Sequence, residues 1–184
     1  MPNTSDAEAR TGGRKIERIV YSEEEIARRV EAMGREITEA YPTDEPLLVL
    51  GLLKGSFIFL ADLVRQIARP LHVDFLVASS YGSGTVSSGE VRLLYDPEAS
   101  LEGKHVLLVE DIIDSGTTLN RLFPLLEGRG PRSLELCTLL HKRIARNLVR
   151  EPRWVGFDAP GEFLIGYGLD FSEDYRNLPF IASL

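Results

Sequence analysis

Cysteine occurs once in this chain of 184 residues, at Cys137. That excludes an intramolecular disulfide and any cysteine-rich zinc site. Its neighbours in SLELCTLL are apolar, so the thiol is expected inside the core. Histidine is scarce as well, and His72, His105 and His141 show no metal-ligand spacing. No apolar run approaches the ~18 residues that span a bilayer. The opening stretch, MPNTSDAEARTGGRK, lacks the apolar segment of a secretory signal. A cytoplasmic protein with no membrane partner is the expectation. Basic residues are outnumbered, 21 against 28, for a net charge of −7. That argues against nucleic acid as a main partner, because counterion release needs a basic surface. A content of 43% hydrophobic and 27% charged residues suits one globular domain with a substantial core.

Residues 1–14 are small, polar and glycine-containing, and are expected to be a disordered tail ahead of a single domain over 15–184. Ser22 and Glu25 make an S-x-x-E capping box. Ile26, Val30, Met33 and Ile37 then recur at steps of four, three and four, which predicts a helix closing before Pro42. LLVLGLL at 47–53 reads as a buried strand, 57–68 as a helix stopped by Pro70, and 73–79 as a further strand. SYGSGTVSSGE at 80–90 holds three glycines and four serines, a composition suited to a mobile loop rather than a core. Later strands are predicted at 106–109, 134–140, 154–157 and 163–167, with a helix at 118–127 despite Pro124. The tail from Asp170 reads as irregular. Strands alternating with helices predict an α/β fold with a mostly parallel sheet, whose ligands bind at the carboxyl ends of the strands.

The most informative stretch is VLLVEDIIDSGTTL at 106–119. An apolar strand runs into two carboxylates, Glu110 and Asp111. Asp114 follows, then Ser115, Gly116, Thr117 and Thr118. Small hydroxyl residues around a glycine, opening a helix, present backbone N–H groups suited to a phosphate. Acid at one end and phosphate at the other describe a site for a phosphorylated sugar. Carboxylates repel phosphate oxygens, so one ligand served by both ends implies Mg²⁺.

This motif resembles the phosphoribosyl pyrophosphate signature of the type I phosphoribosyltransferases, and within them the chain is similar to the hypoxanthine–guanine phosphoribosyltransferases of bacterial type. The resemblance runs from about residue 17 to the C-terminus. It rests on GLLKGS at 51–56, SY at 80–81, VEDIIDSGTT at 109–118, HKR at 141–143 and FLIGYGLDFSEDYRNLP at 163–179. It implies the type I phosphoribosyltransferase fold, a mostly parallel central sheet flanked by helices, with a small hood and a flexible lid loop. It also implies transfer of phosphoribose to hypoxanthine or guanine with release of pyrophosphate, Mg²⁺ as cofactor, and assembly as a homodimer or homotetramer.

Site residues follow from the same resemblance. Glu110 and Asp111 hold the ribose hydroxyls, directly or through Mg²⁺, and residues 114–118 cradle the 5′-phosphate. Asp114 also stands near N7 of the purine. An ordinary aspartate is a weak base at neutral pH, so proton transfer and plain hydrogen bonding both stay open to it. Lys142 donates to O6 of the base, a preference for a carbonyl over the amino group of adenine. Phe163 stacks on the purine, and Leu164 offers its backbone to the base edge. Asp170 is the ligand of a second metal, and Arg176 contacts pyrophosphate. Lys54 and Gly55 bind pyrophosphate through backbone N–H groups, and in the family the peptide between them is often cis. Ser80 and Tyr81 begin the lid. Thr117 stands where some members carry lysine, which sets this chain apart from those members.

Two other readings compete. One is a phosphoribosyltransferase that accepts xanthine. The other is an RNA-binding regulator on the same fold, against which Asp114 and the net charge of −7 both count.

Overall fold

The computed structural model describes residues 10–11, 13–80, 91–143 and 147–184. Five strands, β2 (Leu47–Leu53), β3 (Leu71–Ser80), β5 (His105–Ile113), β6 (Ser133–His141) and β7 (Trp154–Asp158), run parallel. The short β4 (Val91–Tyr95) adds antiparallel to β3, giving the order β4-β3-β2-β5-β6-β7. Helices α1 (Glu23–Ala40) and α2 (Phe57–Gln66) cover one face, and α3 (Thr117–Glu127) covers the other.

Burial on both faces explains the unbroken apolar runs. Leu47, Val49, Leu107, Val109 and Leu139 pack towards α1 and α2, against Ile26, Met33, Phe59 and Leu63. The alternating residues Leu48, Leu50, Val106, Leu108 and Leu136 pack towards α3, against Leu119, Leu122 and Phe123. Cys137 lies fully buried in the first layer, where burial pushes its thiol up. The capping box of α1 forms as expected: Glu25 N donates to Ser22 Oγ at 3.2 Å, and Ser22 N to a Glu25 carboxylate oxygen at 2.8 Å. No helix among the described residues is long and apolar enough to cross a membrane.

A small second sheet, β1-β9-β8, joins β1 (Arg18–Tyr21), β9 (Ile181–Ser183) and β8 (Leu164–Ile165) in antiparallel order. It is the hood. Three expectations need correction. The final residues are not irregular, because β9 pairs with both β1 and β8. β8 covers only Leu164–Ile165 of the expected 163–167. The strand expected at 106–109 extends as β5 to Ile113, because its ladder with β6 continues through Glu110↔Thr138, Ile112↔Leu140 and Ile113↔His141. Glu110 and Asp111 are therefore strand residues rather than residues beyond a strand. Of the expected N-terminal tail, Arg10 and Arg14 reach the C-terminal segment. Arg10 donates to Asn177 O at 3.1 Å, and Arg14 pairs with Asp174 at 3.0 Å. Tyr81 and the rest of the expected lid to residue 90 lie outside the described residues. Ser80 is the last residue of β3.

Candidate active site

The carboxyl ends of β2, β5 and β6 meet on one edge of the sheet and deliver most of the expected site. Successive side chains leave a strand on opposite faces, and this separates the two acids. Glu110 lines a cavity of about 120 Å³ together with Ile112, Ile113 and residues 114–119. Asp111 turns the other way, towards the segment after β2. A Cβ built on Gly55 would fall 1.7 Å from Asp111 Oδ2, so only glycine allows this approach. On its other side, the Gly55 carbonyl oxygen would lie 2.1 Å from a Cβ on Gly168, whose φ is +101°. Two glycines thus let three segments stack closely, Asp111 of β5 against Gly55 and Gly55 against Gly168. The cis peptide falls between Leu53 and Lys54, one bond before the position the resemblance implied. It stands at the last residue of β2, where the chain turns towards α2.

The loop after β5 is built around Gly116, which takes φ +75° at the N-cap of α3. Ser115 Oγ and Thr117 Oγ1 lie 3.0 Å apart, and Thr117 N donates to Ser115 Oγ at 3.4 Å. The first bond inside α3 is Asn120 N to Gly116 O. Of the earlier amides, Thr117 N is shared with Ser115 Oγ, while those of Thr118 and Leu119 have no intrahelical acceptor and suit an anion. Lys142 follows β6. Its backbone N donates to Ile113 O at 2.9 Å, and its largely buried side chain places Nζ 3.4 Å from Asp114 Oδ2.

The C-terminal segment closes the site. Asp170 pairs with Arg176 at 2.9 Å, and Arg176 Nη1 donates to Gly168 O at 2.8 Å. Leu164 is buried in β8, which among the described residues is an edge strand, with one backbone side free of any ladder. Phe163 is half exposed and meets the half-exposed Phe171 edge to face, centroids 5.6 Å apart. The sequence marks Phe171 only as an aromatic directly after Asp170. Glu173, which no sequence signal marks, pairs with both Lys54 and Arg176.

Electrostatically the site holds unneutralised acid. Burial pushes the Glu110 carboxyl well above the usual range, with the charge of Asp111 adding to it. Among the described residues, Oε2 of Glu110 has no hydrogen-bond partner, though it is buried. Burial also raises Asp111 to about 6, against the opposing pull of the Ile112 N–H at 2.8 Å and of Arg176. Carboxyl oxygens in want of a partner are hard donors that suit Mg²⁺, whose charge would favour their ionised form. Among the described residues no three His, Cys, Asp or Glu side chains gather into a metal cage. A Mg²⁺ ion here would take one or two carboxylates and complete its shell with water and substrate oxygens, its usual mode of binding.

The raised carboxyl has a measurable consequence. Its folded value of about 6 exceeds the unfolded 3.8. The folded state is therefore penalised as pH rises through 6, and the penalty vanishes below about pH 4. Asp111→Asn keeps an oxygen for the Ile112 N–H and removes the buried charge. In EDTA above pH 7 the variant is expected to be more stable than wild type by on the order of 3 kcal/mol. Thermal unfolding of both proteins across pH 4–8 checks this. A difference that does not grow with pH counts against it.

Comparison with known proteins adds to this geometry. The family model described as "Phosphoribosyl transferase domain" matches residues 19–172. A hypoxanthine-guanine phosphoribosyltransferase of Bacillus subtilis is 46% identical over 92% of this chain and 93% of its own length. The bifunctional protein TilS/HprT of Listeria innocua is 48% identical over 92% of the chain, which spans only 26% of that longer protein. A crystal structure of a hypoxanthine-guanine phosphoribosyltransferase from Bacillus anthracis superimposes with a TM-score of 0.87 at 44% identity, over 92% of this chain and 99% of that one. With fold, strand-end acids, helix-start loop and close relatives in agreement, this chain belongs to the phosphoribosyltransferases, in the hypoxanthine-guanine group.

Proposed function

We propose that this chain is a purine salvage transferase converting hypoxanthine or guanine and phosphoribosyl pyrophosphate to the nucleoside monophosphate and pyrophosphate. The observation that carries the reading is the 120 Å³ cavity, where Glu110, the phosphate-type loop 114–118 and Asp114 meet, with Lys142 against Asp114. In the reaction the bond from C1 of the ribose to the pyrophosphate oxygen breaks and a bond from C1 to N9 of the base forms. The base loses one proton.

The amides and hydroxyls of Ser115, Gly116, Thr117 and Thr118 bind the 5′-phosphate. Glu110 and Asp111 orient the ribose through its hydroxyls, which positions C1 for attack. Lys54, Gly55 and Arg176 hold the diphosphate and stabilise its charge as it leaves. Phe163 stacks on the purine, Leu164 meets its edge through the backbone, and Lys142 donates to O6. Asp114 accepts the proton at N7. Mg²⁺, when bound, would supply neutralisation of phosphate charge; Glu110 and Asp111, on opposite faces of β5, and Asp170 are the carboxylates that would hold it. The assembled form is a homodimer or homotetramer in the cytoplasm, and its ligands are small molecules rather than nucleic acid.

A panel of hypoxanthine, guanine, xanthine, adenine and uracil with phosphoribosyl pyrophosphate and Mg²⁺, repeated in EDTA, tests the reading. Metal-dependent turnover of hypoxanthine or guanine with adenine and uracil silent is expected. Silence across the panel from folded protein would refute it. In the same panel Lys142→Ala is expected to lower kcat/KM for hypoxanthine by about 10- to 100-fold, the worth of one charged hydrogen bond. Unchanged base selectivity would remove Lys142 from its role.

A further inference from the structure

One carboxylate bridges two cations of this site. Glu173 Oε1 lies 3.1 Å from Lys54 Nζ, and Oε2 lies 3.1 Å from Arg176 Nη2. Lys54 and Glu173 stand 119 residues apart in sequence, so this bridge ties the segment after β2 to the C-terminal segment. Its base is fixed: Glu173 takes φ 69°, and its backbone N donates to Asp170 Oδ2 at 2.9 Å. The pair with Lys54 is open to water, both side chains being 65% exposed. Exposed pairs of this kind are weak and yield to a stronger competitor. A diphosphate is such a competitor, with more negative charge and more acceptor oxygens than one carboxylate.

We propose that Glu173 is a resident counter-anion of the diphosphate site. It holds Lys54 and Arg176 in place in the free protein, gives way when the diphosphate group of the substrate arrives, and returns as pyrophosphate leaves. It acts through those two cations and is a positioning residue. The proposal rests on the reading of Lys54 and Arg176 as diphosphate ligands. Its physical consequence has a definite sign. An anion that must be displaced weakens binding of free polyanion and speeds its release, whereas a residue that merely scaffolds the cations would strengthen binding.

Isothermal titration of inorganic pyrophosphate, in Mg²⁺ buffer of low ionic strength, reads that sign without turnover. Glu173→Gln keeps side-chain length and the backbone bond to Asp170 while removing the charge. It is expected to bind pyrophosphate about three- to tenfold more tightly than wild type. In steady-state kinetics KM for phosphoribosyl pyrophosphate and kcat should fall together, because release slows. Glu173→Ala is a second variant with the same expected sign. Asp174→Asn is the control. Its carboxylate pairs with Arg14 at 3.0 Å, and its affinity for pyrophosphate should match wild type. Unchanged or weaker binding by the Glu173 variants overturns the proposal. So does equal tightening by Asp174→Asn, which would show a general effect of net charge. If wild type binds no pyrophosphate, the reading of Lys54 and Arg176 falls as well, a result distinct from failure of the Glu173 step alone.

Discussion

Asp114→Asn is expected to lower kcat by about 10²–10⁴, the usual worth of a positioned general base, while KM for phosphoribosyl pyrophosphate moves by less than about threefold. The split follows from where the residue stands. Asp114 opens the loop 114–118 at the rim of the cavity, with its side chain 59% exposed and 3.4 Å from Lys142 Nζ. Asparagine matches it in size and still offers an oxygen to the lysine, so the loop keeps its shape. The variant loses the ability to accept a proton. The bound 5′-phosphate is itself an anion, and removing a nearby carboxylate cannot weaken its binding by simple electrostatics. A loss confined to kcat would therefore mark the base side of the reaction. Initial rates with each substrate varied in turn separate the two parameters. Equal losses in kcat and in binding of the sugar diphosphate would show that Asp114 serves the phosphate loop instead.

What could be read in advance followed how local its cause was. The helix α1 is legible because both of its signals are local, the Ser22–Glu25 box and the spacing of Ile26, Val30, Met33 and Ile37, all buried. The runs that became β2 and β6 are legible because burial on both faces demands apolar residues throughout. The loop around Gly116 announces itself by composition. The extent of β5 is different. Glu110 and Asp111 interrupt the apolar run, and only pairing with β6 keeps them extended. The hood joins Arg18 to Ser183, a contact that no local pattern reports. The same holds within the site. Lys54 and Arg176 could be named from motifs, but the carboxylate between them could not. A charged residue in SEDYR looks the same whether it faces water or two cations.

Gly55→Ala tests the closest of these non-local contacts, and its effect is expected to be large. The new methyl would arrive 1.7 Å from Asp111 Oδ2 and 2.6 Å from Asp111 Cγ. The carboxylate has little freedom to withdraw, since Oδ1 accepts the Ile112 N–H at 2.8 Å and Asp111 lies within β5. The segment after β2 cannot retreat freely either, because the Gly55 carbonyl already presses on Gly168. Something must shift, and overpacking of this kind costs about 1–3 kcal/mol. Displacing the backbone by about 1 Å from the diphosphate should lower kcat/KM for phosphoribosyl pyrophosphate by about 10²-fold or more. Stability and activity can then be separated by a second substitution. Gly55→Ala with Asp111→Ala removes the clash and should recover the lost stability, a coupling measurable as a double-mutant cycle. Activity should stay low in the pair, because the carboxylate proposed to orient the ribose is gone. Additive effects on stability would mean that Gly55 and Asp111 are not in contact, and the close approach at the centre of this site would have to be abandoned.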